Sequence, residues 1–267
     1  MKRYALIFVG ALLALAAFAA GGASAARSAS PPPGFPFTPV DLTHVLRSGI
    51  PIWPGDPEYR LTPWATFEND GYFLNELAIG EHSGTHFGAP VHFHEGAPDA
   101  ATFTADDLVV PAVVIDVAEA VGDNVDYRFT LAELEAWEAE FGAIPAGSAV
   151  LLRTGWDRFW GDPEAFLGFD DEGGLHFPGF GADAAAFLVN ERAVAGLGID
   201  THGIDPGNDE EYAPNTLMLG AGGFHLENLT NLDRLPAHGA VLVIGALPIE
   251  GGSGGPVRVI ALVPHTE

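Results

Sequence analysis

Apolar residues along this chain come in short blocks broken by glycine, proline and acidic side chains. Phe73 to Ile79 reads as a strand. Leu108 to Val117 (Leu-Val-Val-Pro-Ala-Val-Val-Ile-Asp-Val) is a β-branched run that predicts a longer one. Pro111 marks its start or an edge, because proline cannot donate to a ladder. Gly147 to Arg153 and Gly239 to Pro248 read as buried strands, and Gly196 to Asp200 as a short strand entering a loop. Pro39 to Leu46 predicts a strand ending in a polar turn, and the stretch after Gly251 a turn and a final strand. Helical spacing is rarer. Thr130-Leu-Ala-Glu133 is a capping box, opening an amphipathic helix to about Phe141. A second helix starts at Gly181-Ala-Asp183 and runs to about Arg192, with Phe187 and Leu188 turned inward. Ile50 to Pro57 holds too much proline for regular structure and predicts an ordered loop. The pattern is that of a mixed α/β chain, strand-rich and with few helices.

Residues 1–25 have another logic. Lys2 and Arg3 precede an apolar run from Ala5 to Ala20, and Ala23-Ser24-Ala25 is a small-residue cleavage site, the layout of a secretory signal. The expected location is therefore secreted or periplasmic, with a retained N-terminal anchor as the alternative. Residues 26–37 read as a solvated linker. Residues 38–267, about 230 of them, suffice for one core and one domain.

Charge and cysteine content narrow the chemistry. The chain has 36 Asp and Glu against 11 Lys and Arg, for a net charge of −25. Its one lysine is Lys2, so nucleic acid and anionic membrane surfaces are not expected partners. No stable membrane insertion is expected once the signal is removed. There is no cysteine, hence no disulfide and no thiolate nucleophile or ligand. A metal would have to be held by His, carboxylate or amide, which suits zinc or manganese.

The stretch that points to chemistry is Glu81-His-Ser-Gly-Thr-His-Phe-Gly-Ala-Pro-Val-His-Phe-His94. It holds four of the ten histidines. An extended backbone would put His82 and His86 about 13 Å apart. One helical turn brings their Cβ atoms to about 6 Å. Ser83-Gly84-Thr85 can make that turn, and Gly88 and Pro90 keep any helix from continuing. His92 lies beyond the proline, free to approach from another side. Two imidazole ligands and a third, uncoordinated imidazole beside a water make a metal-plus-base arrangement. The plainer reading of these histidines is as exposed loop side chains or hydrogen-bonded core residues.

His82-Ser-Gly-Thr-His86-Phe-Gly-Ala-Pro90-Val-His92 resembles the His-x-Gly-Thr-His-x-Asp-x-Pro-x-His signature of the metal-dependent cyclase family. That family includes kynurenine formamidases, isatin hydrolases and trans-dienelactone hydrolases. Asp41-Leu-Thr-His44 with Pro54-Gly-Asp-Pro57, Gly198-Ile-Asp-Thr201 with Asp205-Pro206, and Glu227-Asn-Leu229 extend the resemblance across Pro39 to Val263. It implies a swivelling β/β/α fold assembled as a homodimer or homotetramer. By resemblance His82 and His86 are metal ligands, Glu227 binds the metal or accepts a proton without touching it, and Trp53 helps line the substrate pocket; Phe87, an aromatic within the motif, is the further substrate-binding candidate. Two departures stand out: Gly88 replaces a metal-binding Asp, and Asn215 replaces a His. Both lost ligands belong to a second metal or its bridge, so one divalent ion, zinc or manganese, is expected. His202, unusual at its position, is the candidate that compensates for Gly88. His44 could orient a ligand or a substrate group.

The function that follows is an exported, metal-dependent hydrolase opening an amide or lactone of a small aryl or cyclic substrate. A metal-activated water would attack, with His92 as general acid and base. The alternative is a non-enzymatic ligand-binding protein on a degenerate scaffold of the same family, favoured by Gly88 and Asn215.

Overall fold

The β-branched run becomes the middle of the molecule. Val113 and Ile115 face one way and Ala112 and Val114 the other, as the two-residue period of a strand requires. The computed structural model describes residues 34–265. The expected signal segment, residues 1–25, lies outside the described residues, as does the expected linker up to residue 33. Phe37, at the linker's expected end, already belongs to the first strand.

In chain order the strands are β1 (Phe37–Asp41), β2 (Arg60–Ala65), β3 (Leu74–Ala78), β4 (His86–Gly88), β5 (Val109–Asp116), β6 (Arg128–Phe129) and β7 (Ala149–Arg153). Then come β8 (Gly179–Phe180), β9 (Gly196–Ile199), β10 (Phe224–Glu227), β11 (His238–Gly245), β12 (Gly254–Pro256) and β13 (Arg258–Pro264). The helices are α1 (Phe67–Asp70), α2 (Ala105–Leu108), α3 (Ala118–Val121), α4 (Leu131–Phe141), α5 (Pro163–Leu167), α6 (Ala182–Arg192) and α7 (Ala213–Gly220). Nine strands form one mixed sheet in the order β1-β13-β11-β5-β7-β9-β10-β4-β12. The run β5-β7-β9-β10 is parallel, and antiparallel strands flank it on both sides.

The sheet curls. Val40, Phe87, Val114, Leu151, Leu226, Leu242 and Val259, from seven of its strands, meet in one core on its concave side. The other face packs Val113, Ile115, Val150, Leu152 and Leu197 against Leu134 of α4 and Leu188 of α6. Parallel strands covered on both faces read as continuous apolar runs, which is why 109–115 and 149–152 lack polar alternation. Pro111 sits opposite Val241 of β11, one residue before β7 begins to pair at Ala112. Its missing N–H thus faces no second strand.

The capping box forms at the expected place. The Glu133 carboxylate accepts from Thr130 N (2.9 Å), and Thr130 Oγ1 accepts from Glu133 N (3.4 Å). Helix α6 buries Leu188 but leaves Phe187 half-exposed beneath the Arg192 guanidinium, 4.3 Å from its ring centre. The strand expected at 73–79 is β3, which pairs with β2 in a separate ribbon rather than joining the sheet. Among the elements not anticipated, two bear on the site: α7, with Pro214 in its first turn, and β10, which lies beside β4.

Candidate metal centre

His82 and His86 converge without a helix. Gly84 takes a left-handed φ of +66°, which favours glycine, and a Cβ there would also push on Leu46 Cδ2 at 2.3 Å. The reversal puts His82 in a turn and His86 at the start of β4, with ring centres 5.1 Å apart. The antiparallel neighbour β10 places His225 opposite Gly88 and Glu227 opposite His86. Residues 225 and 227 share one face of that strand, so both side chains enter the site.

Three imidazoles meet there. His82, His86 and His225 bring ligand nitrogens within 4.8 Å of one another. Each ring is oriented through its other nitrogen. His86 Nδ1–H donates to Gly84 O (2.9 Å). The Ser253 hydroxyl donates to Glu81, leaving its oxygen to accept from His82 Nε2–H (2.9 Å). His225 Nδ1–H donates to Asn215 Oδ1 (2.6 Å). These partners put the proton on Nε2 of His82 and on Nδ1 of His86 and His225, leaving His82 Nδ1 and His225 Nε2 buried with no hydrogen-bond partner and His86 Nε2 facing only the Glu227 carboxylate. Three proton-free imidazole nitrogens facing one another are costly as they stand and are what a divalent cation needs. The donor set fits a metal.

Burial lowers the pKa of His82, and its neighbours His86, His92 and His225 lower it further. Burial likewise takes His225 to about 3 and His202 to about 4. These rings are neutral at neutral pH, the state in which imidazole binds metal. Glu227 Oε2 stands 3.0 Å from His86 Nε2 while its Oε1 accepts from Ile204 N (2.9 Å). Burial raises the pKa of this carboxylate, but its interactions with His225 and His86 and the hydrogen bond from Ile204 N bring it below the ordinary value.

A cavity of about 260 Å³ opens beside the cluster. Trp53, Phe93, Phe177 and Tyr212 supply aromatic walls, and His82, His92, His202, His225, Asp205 and Glu227 polar ones. His92 stacks on His82 at 3.7 Å between ring centres, and burial lowers its pKa as well.

Of the residues expected at the site, His82, His86, His92, Glu227 and Trp53 meet here. Two expectations are corrected. Phe87 does not line the pocket. It is fully buried and packs on Phe103 and Phe224, because the residue between His86 and Gly88 must point to the other face of β4. His202 lines the cavity 6.5 Å from the His86 ring but stands outside the three-histidine cluster. The ring that takes the space vacated at Gly88 is His225. Its signal in the sequence was its position two residues before Glu227. His44 also lies away from the cavity, stacked on Trp160 at 4.0 Å.

Comparison with known proteins agrees with this geometry. The Cyclase family model matches residues 40–206. The chain is 39% identical over 242 residues to an isatin hydrolase of Roseibium aggregatum, covering 84% of this chain and 91% of that one. It is 28% identical over 224 residues to a kynurenine formamidase of Bacillus cereus, covering 83% and 95%. The solved structure of isatin hydrolase A from Ralstonia solanacearum superposes with a TM-score of 0.81 at 38% identity, covering 85% of this chain and 92% of that one.

Proposed function

Since this chain belongs to the cyclase family, we propose that it is a metal-dependent hydrolase that opens the amide bond of a small, planar aryl or cyclic substrate such as isatin. The observation carrying this reading is the set of three buried, proton-free imidazole nitrogens beside an aromatic-walled cavity. His82, His86 and His225, with Glu227 at hand, would hold a divalent cation, which would supply Lewis-acid polarisation of a carbonyl and acidify water. Three imidazoles favour zinc, and manganese is the alternative.

The chain's own residues do the rest. Trp53 and Phe177, edge to face with ring centres 6.5 Å apart, give a planar ring two apolar surfaces. They set the scissile carbonyl towards the histidine cluster and exclude bulk water from it. A ring nitrogen of His92 takes a proton from the attacking water and returns one to the leaving nitrogen. The C–N bond breaks as the C–O bond forms, giving a carboxylate and an amine. Glu227 balances the charge at the imidazole cluster.

The reading of the chain as a non-enzymatic binder rested on Gly88 and Asn215. With His225 in the space at Gly88 and Asn215 holding that ring, it loses its main support. The proposal extends to a homodimer or homotetramer. Trp64, Phe67, Tyr72, Phe73 and Leu77 stand exposed on and beside the β2–β3 ribbon, a patch that association would cover. It extends also to export, through residues 1–25.

The deciding experiment is an assay of the zinc- and manganese-loaded protein on isatin and on N-formylkynurenine, with the chelated protein as blank. Metal-dependent turnover of isatin supports the reading. Equal absence of turnover in loaded and chelated protein overturns it.

A further inference from the structure

We propose that Asp205 and Asn215 act together as a positioning relay that holds His225 as a neutral ligand, a carboxylate acting on the imidazole through an intervening amide. The inference rests on the metal-site reading above. Asn215 is 5% exposed and sits in α7, with its side chain between three partners. Its Oδ1 accepts from His225 Nδ1 (2.6 Å), while its Nδ2 donates to Asp205 Oδ2 and points at Glu227 Oε1 (3.4 Å). The amide has one permitted orientation. Flipped, its oxygen would face two carboxylates and its N–H₂ would face the N–H of His225.

Asp205 is fixed in turn. Its Oδ1 accepts from Asn215 N (3.2 Å), so both of its oxygens are committed to the same residue. The loop bearing it is clamped from behind. Phe180 N donates to Ile204 O (2.8 Å), and Gly207 N to Phe177 O (2.9 Å). A Cβ on Gly179 would lie 2.3 Å from Pro206 N, so this backbone contact leaves no slack. The chain Asp205–Asn215–His225 thus carries the rigidity of the 203–207 loop to one ligand ring.

An amide in the middle has a purpose that a carboxylate would not serve. With Glu227 Oε1 already 3.6 Å from His225 Nδ1, an Asp at position 215 would add a second negative group to that nitrogen and a third to the cluster. Asn215 accepts the ring proton without that charge. Partners of ligating histidines alter metal affinity by 10- to 100-fold.

The test is zinc affinity, by competition with a chromophoric chelator, together with the visible spectrum of the cobalt-substituted protein. Thermal unfolding of the metal-free forms serves as the control for folding. Asn215→Leu is expected to weaken zinc binding about 10- to 100-fold and to change the cobalt spectrum, with metal-free stability far less affected. Asp205→Asn sets an N–H₂ against one of the two Asn215 donors and is expected to weaken zinc binding part of the way, whereas Asp205→Ala follows Asn215→Leu. If Asn215→Leu does not fold, Asn215→Ser, too short to bridge, carries the same comparison. Wild-type affinity and spectrum in the Asn215 variant overturn the relay and leave the metal reading standing. Failure of the wild-type protein to bind zinc or cobalt overturns both.

Discussion

His225 Nε2 occupies the place that any side chain on Gly88 would have to enter: a Cβ built on Gly88 would lie 1.9 Å from it. The two residues are paired in register across β4 and β10, so the backbones cannot separate without opening the ladder and only the ring can give way. Glycine and histidine therefore form a matched pair. Gly88→Asp alone is expected to expel the ring and drop bound metal well below one ion per chain after dialysis. Gly88→Asp combined with His225→Ala, which clears the space, is expected to recover metal. Elemental mass spectrometry reads both variants, and full metal retention in the single variant would contradict the steric argument.

His92 stacks on a ligand ring yet lies outside the ligand cluster. His92→Gln should accordingly leave metal content unchanged and lower kcat by about 10²-fold or more, as loss of a general base does. A parallel loss of metal would make His92 a ligand instead.

Trp53 and Phe87 separate pocket from core. Trp53→Ala is expected to raise KM for an aryl substrate with a modest effect on Tm, because one face of its ring borders the cavity. Phe87→Ala leaves a hole in a packed core and should cost about 3–5 kcal/mol in denaturant unfolding. Equal loss of stability in the two variants would erase the distinction drawn here.

The loop carrying Phe177 is tied by His176, whose Nδ1 lies 2.7 Å from Asp126 and Nε2 3.2 Å from Asp170. Hydrogen bonds to Asp126 first and then to Asp170 raise the imidazole pKa above its ordinary 6.5. The folded chain thus binds this proton more tightly than the unfolded chain. The resulting stability is complete below 6.5 and is lost as pH rises through the higher folded value. The Tm advantage of wild type over His176→Gln should be largest below pH 6.5 and shrink as pH rises above it. An advantage that grows with pH would reverse the assignment.

Much of this was legible in the sequence where one physical rule acts alone. β-Branched runs gave β5, β7 and β11, and the Thr130–Glu133 box gave α4 to its terminal Phe141. The His-x-Gly-Thr-His turn was readable because a left-handed backbone at Gly84 favours glycine. The rest depended on what lies across the sheet. Phe87 looked like a pocket residue by its place in the motif, but strand alternation reverses it. His202 stands out in the sequence as a histidine unusual at its position, whereas register brings in His225. That choice could not be made until β10 was known to run beside β4.

Glu81 and His82 are tied to Ser253, 172 and 171 residues further along the chain, while His86 meets Glu227 and His225 from β10. During synthesis the first ligand pair emerges early and waits for nearly the whole remainder to leave the ribosome. The histidine cluster therefore cannot assemble before β10 is made, and the His82 ring is not held until Ser253 has followed, so the centre forms late in synthesis although its first two histidines are made early.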